Sequence, residues 1–234
     1  MKFKINSKKK LISVIIWSLL GLLLLIFIIR TSIWEANYYA SEEGSERATA
    51  EKVETVTEEP EPVDETEVTV EQRAEYTVPA DQARYLTIEK LGIYNARVIT
   101  VGIRSNKQMG TPTNIFDVGW YDGSAKPGTG GTMIIDGHNG GPNIEGVFKH
   151  IDTLVVGDII TITRGDGAIF NYQVYDNTSI LLENANKYMN NEAKKSPVPG
   201  KESLTLITCI GDWSETQQTY LSRQFVRAVL VTNL

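Results

Sequence analysis

The stretch IITITRGDGAIFNYQVY, residues 159–175, decides the fold of this chain. Two runs rich in β-branched and aromatic residues flank Arg164-Gly165-Asp166-Gly167. Asp-Gly supplies the positive-φ positions that a tight turn needs, so the stretch predicts a β-hairpin. Working outward, runs of the same texture occur at 84–91, 96–103, 119–121, 132–136, 204–209 and 224–231, broken by Gly, Asn, Asp and Pro. With 159–163 and 168–175 they make about eight short strands after Pro79, a density that predicts a mostly β domain, either a closed barrel or a sandwich. Helical signal is short and local, around 147–154 and 184–194, and no internal repeat is visible.

The rest of the 234 residues is organised differently. Residues 11–29, LISVIIWSLLGLLLLIFII, carry no charge. As a helix rising about 1.5 Å per residue they would span a hydrocarbon core of about 30 Å. Lys2, Lys4, Lys8, Lys9 and Lys10 precede the run, which predicts a cytoplasmic basic segment over 1–10 and an extracellular C-terminal part. A cleaved signal peptide is the competing reading. Its apolar core is normally shorter, about 7–15 residues, and it ends in small residues, whereas Arg30-Thr31-Ser32-Ile33-Trp34 follows here.

The formal net charge of −6 is concentrated in one place. Residues 41–75 hold 13 acidic and 3 basic side chains, while 76–234 hold 15 and 14. The acidic segment, with Glu-Pro-Glu-Pro at its centre, predicts an extended, disordered stalk over 30–79 ahead of a domain at 80–234. The nearly balanced domain lacks the basic footprint that nucleic acid requires.

Cys209 is the only cysteine, so an internal disulfide is excluded. It closes the run Thr205-Leu206-Ile207-Thr208-Cys209. His138 stands just past another β run, in Asp136-Gly137-His138-Asn139, and Arg223 opens the last one. Each has an ordinary reading: a lone cysteine is commonly a small buried apolar group, and surface arginines are the default. His150, in Phe148-Lys149-His150-Ile151, lacks the strand-end context and reads as solvated or packed. Together, however, thiol, imidazole and guanidinium cover nucleophile, proton carrier and electrostatic stabiliser. Alternation leaves the direction of Asp136 open.

The TLxTC pattern at 205–209 resembles the signature of sortases. Gly137-His138-Asn139, followed by Phe148 and Gly157-Asp158-Ile159-Ile160, resembles the family's histidine loop and next strand, and Arg223 matches the family's arginine. The resemblance covers about 85–234. It implies an eight-stranded β-barrel that cuts an LPxTG-like sorting signal between Thr and Gly and passes the product to a cell-wall or pilin amine. It implies Cys209, His138 and Arg223 as catalytic residues and Thr208 as a substrate contact, with no cofactor. Arg227 lies four residues past Arg223 on the same predicted strand face, and only the motif favours Arg223. No long helix insertion of the class B kind occupies 177–203, and Ile210-Gly211-Asp212-Trp213 and Val118-Gly119-Trp120-Tyr121 look more like class F or class A. Some sortases bind calcium through acidic loop residues; Asp152, Glu183 and Glu192 are available, but they form no recognisable ligand loop.

An L,D-transpeptidase would place His and Cys in one short segment, and a papain-like peptidase would place Cys before His. Neither order occurs here. A stalked, non-catalytic surface-binding module is the reading from a different class, and it makes Cys209 a buried core residue.

Overall fold

Strands β1 (Ala83–Ile88), β2 (Ile93–Val101), β3 (Val118–Tyr121), β4 (Thr132–Gly137), β5 (Ile159–Arg164), β6 (Ile169–Leu181), β7 (Ser203–Ser214) and β8 (Thr219–Val231) follow one another along the chain. They close into a barrel in the order β1-β2-β3-β4-β7-β8-β6-β5. The computed structural model describes residues 63–105 and 107–231. The expected basic segment and membrane helix (1–29) and the stalk up to residue 62 lie outside the described residues. Among the described residues no helix is long and apolar enough to cross a membrane.

The hairpin at 159–175 forms as its sequence predicts. Gly167 takes φ +89°, and the Arg164 amide donates to the Ala168 carbonyl at 2.8 Å to close the turn between β5 and β6. Most neighbouring strands run antiparallel, but β2–β3 and β4–β7 are parallel. A parallel pair cannot be joined by a tight turn. The chain between β4 and β7 therefore travels through β5, β6, helix α2 (Leu182–Tyr188) and a π-helical turn (Met189–Ala193) before returning.

Alternation sorts side chains onto the two faces of the wall. Leu86, Ile135, Tyr172, Leu204, Leu206 and Val226 point into the barrel and are fully or almost fully buried. Each such side chain contributes about 1.5–3 kcal/mol of apolar burial. On the opposite face of β4, β7 and β8, a smaller apolar cluster of Ile134, Ile207 and Phe225 is covered by Ala193 and by Tyr188, whose ring packs 4.8 Å from that of Phe225. The helical turn after β6 thus roofs the outside of the same wall.

Three expectations are corrected. The predicted helix over 147–154 is only a 3-10 turn at Ile151–Thr153, and the one over 184–194 starts earlier and changes pitch at Met189. Cys209 and Arg223 do not sit at strand termini. β7 and β8 continue past both as a hairpin arm with a bulge between Ile210 and Trp213, where Gly211 takes φ +85°. Third, the described part of the predicted stalk, residues 63–79, is not free. Asp64 bridges to Asn114, Val68 is buried, and α1 (Val70–Glu75) begins with a capping box between Thr69 and Gln72. Tyr76 then donates to the Val98 carbonyl at 2.6 Å. The acidic side chains of this piece face solvent or accept hydrogen bonds, so its charge did not prevent docking.

Candidate active site

Register brings three strands' side chains onto one outer wall. The parallel β4–β7 ladder runs from Thr132 beside Ser203 to Asp136 beside Ile207. The ladder ends there, and β4 itself ends at Gly137, one residue before His138. A hydrogen bond from Thr208 Oγ1 to the Gly137 carbonyl, 2.8 Å long, holds the two chains together there. On the other side of β7, Cys209 is the direct antiparallel partner of Arg223 on β8. Directly paired residues project to the same face. Cys209 and Arg223 therefore share the outer face of Ile134, Ile207 and Phe225, and His138 follows the end of β4, the strand on the other side of β7.

Cys209 is partly buried and carries a free thiol. Burial pushes that thiol above its ordinary value; the Arg223 charge opposes the rise and Asp136 adds to it. An unassisted thiolate is therefore scarce at neutral pH, and nucleophilic attack needs a group that takes the proton. His138 is held by Nε2 against the Pro112 carbonyl at 2.7 Å. A carbonyl only accepts, so Nε2 carries a hydrogen, and in the neutral ring Nδ1 is then the nitrogen with the lone pair. Gly146 must be glycine for this placement, because a Cβ there would come within 2.2 Å of the His138 carbonyl oxygen.

The Arg223 guanidinium folds back on its own hairpin arm. Nη1 donates to the Tyr220 and Ser222 carbonyls at 2.8 and 2.9 Å, and Nη2 to Thr219 Oγ1 at 3.0 Å. Arg227 has the same chemistry and the same strand face but is occupied elsewhere. It pairs with Asp176 and reaches Glu192 at 3.5 Å, over the Tyr188 ring. The geometry thus separates two arginines that the sequence left distinguished by motif alone.

Thr208, which the family resemblance offers as a substrate contact, has its side chain on the inner face. It is buried, faces inward with Leu204 and Leu206, and spends its hydroxyl on Gly137. Its place is a fastener between the strand bearing the thiol and the strand leading to the imidazole. The His150 side chain is largely exposed, and its ring reaches Glu145 at 3.3 Å. Of the acidic candidates for calcium, Glu192 contacts Arg227 and Glu183 contacts Asn184. Among the described residues, no group of three or more His, Cys, Asp or Glu side chains is arranged to hold a metal ion.

Asp136 is the residue whose role the sequence left open. It shares the outer face with His138, is buried, and its Oδ1 has no hydrogen-bond partner among the described residues. That oxygen lies over Gly119, where a Cβ would approach it to 2.2 Å. Burial pushes the carboxyl up to about 7, against the opposing pull of Thr111, its own amide and Arg104. The signal was present as Gly119 inside a strand pattern, which marks a close approach.

The fold is thus a closed eight-stranded barrel whose single thiol, on β7, pairs with an arginine on β8 and neighbours the strand that leads into His138. A family model described as the Sortase domain matches residues 86–231, and the chain belongs to the sortase family of cysteine transpeptidases. Among solved structures, it is similar to sortase A from Corynebacterium diphtheriae, at 25% identity over 70% of this chain and 65% of that one, with a TM-score of 0.48. It is also similar to a sortase D5 transpeptidase of Clostridium perfringens, at 22% identity over 69% and 86% of the two chains, with a TM-score of 0.46. Sortase C of Streptococcus pneumoniae matches at 18% identity over 74% and 80%, with a TM-score of 0.48. No curated protein sequence matches the chain.

Proposed function

We propose that this sortase is anchored in the membrane by residues 11–29 and acts outside the cell. It cleaves an LPxTG-like sorting signal between Thr and Gly and joins the Thr carboxyl to an amine of a cell-wall precursor or pilin. The Cys209 thiol gives its proton to His138 Nδ1 as the sulfur attacks the Thr carbonyl. Arg223 turns from its hairpin carbonyls to the developing oxyanion. The C–N bond breaks as His138 returns the proton to the departing amine, leaving a thioester on Cys209. An incoming amine attacks the thioester, loses a proton to the imidazole, and regenerates the thiol.

The observation that carries this reading is that Cys209 pairs directly with Arg223 on β8, while on its other side β7 pairs with β4, the strand that leads into His138. A non-catalytic binding module would have no use for that coincidence, and the partial exposure of the thiol speaks against a packing role. The full chain is assayed with a fluorogenic sorting peptide, with and without an amine acceptor. Cys209→Ala is expected to lose cleavage and transfer by about 10³-fold or more, and His138→Ala to lose most of both. His150→Ala retains near-normal rates. Substantial turnover by Cys209→Ala refutes the assignment.

A further inference from the structure

The two loops that enclose His138 are both gripped from outside by the segment just before α1. One loop contains Pro112, whose carbonyl accepts from the imidazole. Asp64 pairs with this loop as a strand would. Its amide donates to the Thr113 carbonyl at 2.9 Å, and its carbonyl accepts from the Ile115 amide at 2.9 Å. Asn114 Nδ2 also reaches Asp64 Oδ2, at 3.2 Å, and the Thr66 carbonyl, at 2.8 Å. The other loop begins at Asn139, directly after His138, and returns through the Gly146 amide to the Asn139 carbonyl at 2.9 Å. Glu65 holds this loop's tip. Its carboxylate accepts from the Asn143 amide and Asn143 Nδ2, both at 2.8 Å, and from the Ile144 amide at 3.2 Å. Gly141 makes room for the carboxylate, since a Cβ there would lie 2.4 Å from Glu65 Oε1. Two adjacent residues thus tie down the two sides of the imidazole's surroundings. The piece carrying them is itself fastened downstream by buried Val68 and the capped α1.

We infer that residues 64–66 form a positioning strap for His138, with Glu65 its principal residue: by fixing the 139–146 loop, Glu65 keeps the imidazole in register with Cys209. Glu65 takes hold of Asn143 and Ile144 at the loop tip and acts through the loop. Bonds from amides to a carboxylate are stronger than bonds between neutral groups, which suits a single side chain to this task. The inference rests on the role proposed above for His138, but part of its test does not require turnover.

The full chain is compared with Glu65→Ala, Glu65→Gln and Gly141→Ala, with Glu67→Ala as a neighbouring-charge control. Three quantities are read: amide hydrogen exchange at Asn143 and Ile144, the ¹⁵N shifts of the His138 ring, and kcat and KM for peptide cleavage. Glu65→Ala is expected to speed exchange at both amides by about tenfold or more, to shift the ring nitrogens away from the Nε2–H form, and to lower kcat about tenfold with little change in KM. Gly141→Ala reproduces these effects by displacing the carboxylate that is still present. Glu65→Gln, which keeps one acceptor oxygen, recovers part of the loss, and Glu67→Ala matches the parent. Unchanged exchange and ring shifts in Glu65→Ala overturn the strap. So does loosened exchange with unaltered ring shifts and kcat, because the loop would then be held without positioning anything. If His138→Ala remains active, the proposed chemistry fails, while the exchange and ring-shift results still decide whether the strap holds the loop.

Discussion

The inner and outer faces of β4, β7 and β8 are made from alternate residues of the same three strands, yet they do opposite things. Inside, Ile135, Leu204, Leu206 and Val226 are apolar, tightly packed and fully buried. Outside, one face carries Ile134 and Asp136, then Ile207 and Cys209, then Phe225 and Arg223, so that apolar packing and reactive groups follow one another along each strand. Because side chains alternate with a period of two, the inner face sets the register and the register places the chemistry outside. A slip of one residue would bury the thiol and expose the leucines. The stability of one face is thus the geometric precision of the other.

The largest effect is expected from moving the thiol between faces. In Thr208→Cys combined with Cys209→Thr, the sulfur turns into the barrel beside Leu206, where a cysteine packs as a small apolar group. Cleavage falls by about 10³-fold or more, while the barrel loses only the Thr208–Gly137 hydrogen bond, worth about 1 kcal/mol. Peptide turnover and thermal unfolding measured on the same sample check both halves. Retained activity would mean that the outer face is not where the reaction occurs.

A smaller effect separates two arginines on the outer face. Arg223→Lys loses the planar donor fork and is expected to lower kcat/KM about 100-fold, with a small change in Tm. Arg227→Lys loosens the pairs with Asp176 and Glu192 and is expected to lower Tm, with less than a roughly threefold effect on rate. Steady-state kinetics set beside melting curves read the contrast, and reversed outcomes would assign the oxyanion to Arg227.

The smallest effect is a pH dependence carried by Asp136. Its carboxyl is raised from an ordinary 3.8 to about 7 in the folded chain. Between those values the folded state holds a proton that the unfolded state has released, so this group's contribution to stability falls as pH rises. Arg104 faces it as a cation, His138 follows just past the end of its strand, and the Cys209 thiol, itself under the Arg223 charge, lies on the neighbouring one. Asp136→Asn keeps the shape and removes the titration. The variant is expected to match the parent near pH 4 and to exceed it toward pH 7, on the order of 1 to 3 kcal/mol. Melting curves across that range test it, and a constant difference at every pH would sink the assignment.

Much of this was legible in the sequence, for reasons that differ by region. The strands were readable because each pairs a β-branched run with a strong breaker, as at Arg164-Gly165-Asp166-Gly167. The three candidate residues were readable as types and motif positions, but their strands' neighbourhood depends on a parallel β4–β7 pairing that no local pattern reveals. Gly211 and Asp212 disguised the continuation of β7, since a bulge and a turn use the same residues. Asp64 and Glu65 were taken into the stalk because composition averages over a window, and their partners lie about 50 and 78 positions away. The local sign was there: Thr69-Val70-Glu71-Gln72 is a capping-box pattern, and it marks the start of α1. The motif alone did not show which way Thr208 faces; alternation turns it inward while its neighbour Cys209 faces out.

The most direct test is the mass of the full chain after brief mixing with a sorting peptide in the absence of an amine acceptor. If sulfur is the reacting atom on the outer wall, the protein gains the mass of the peptide up to its Thr, fragmentation places the adduct on Cys209, and added amine discharges it. Cleavage that proceeds with no adduct on Cys209, or an adduct that survives in Cys209→Ala, would contradict the account.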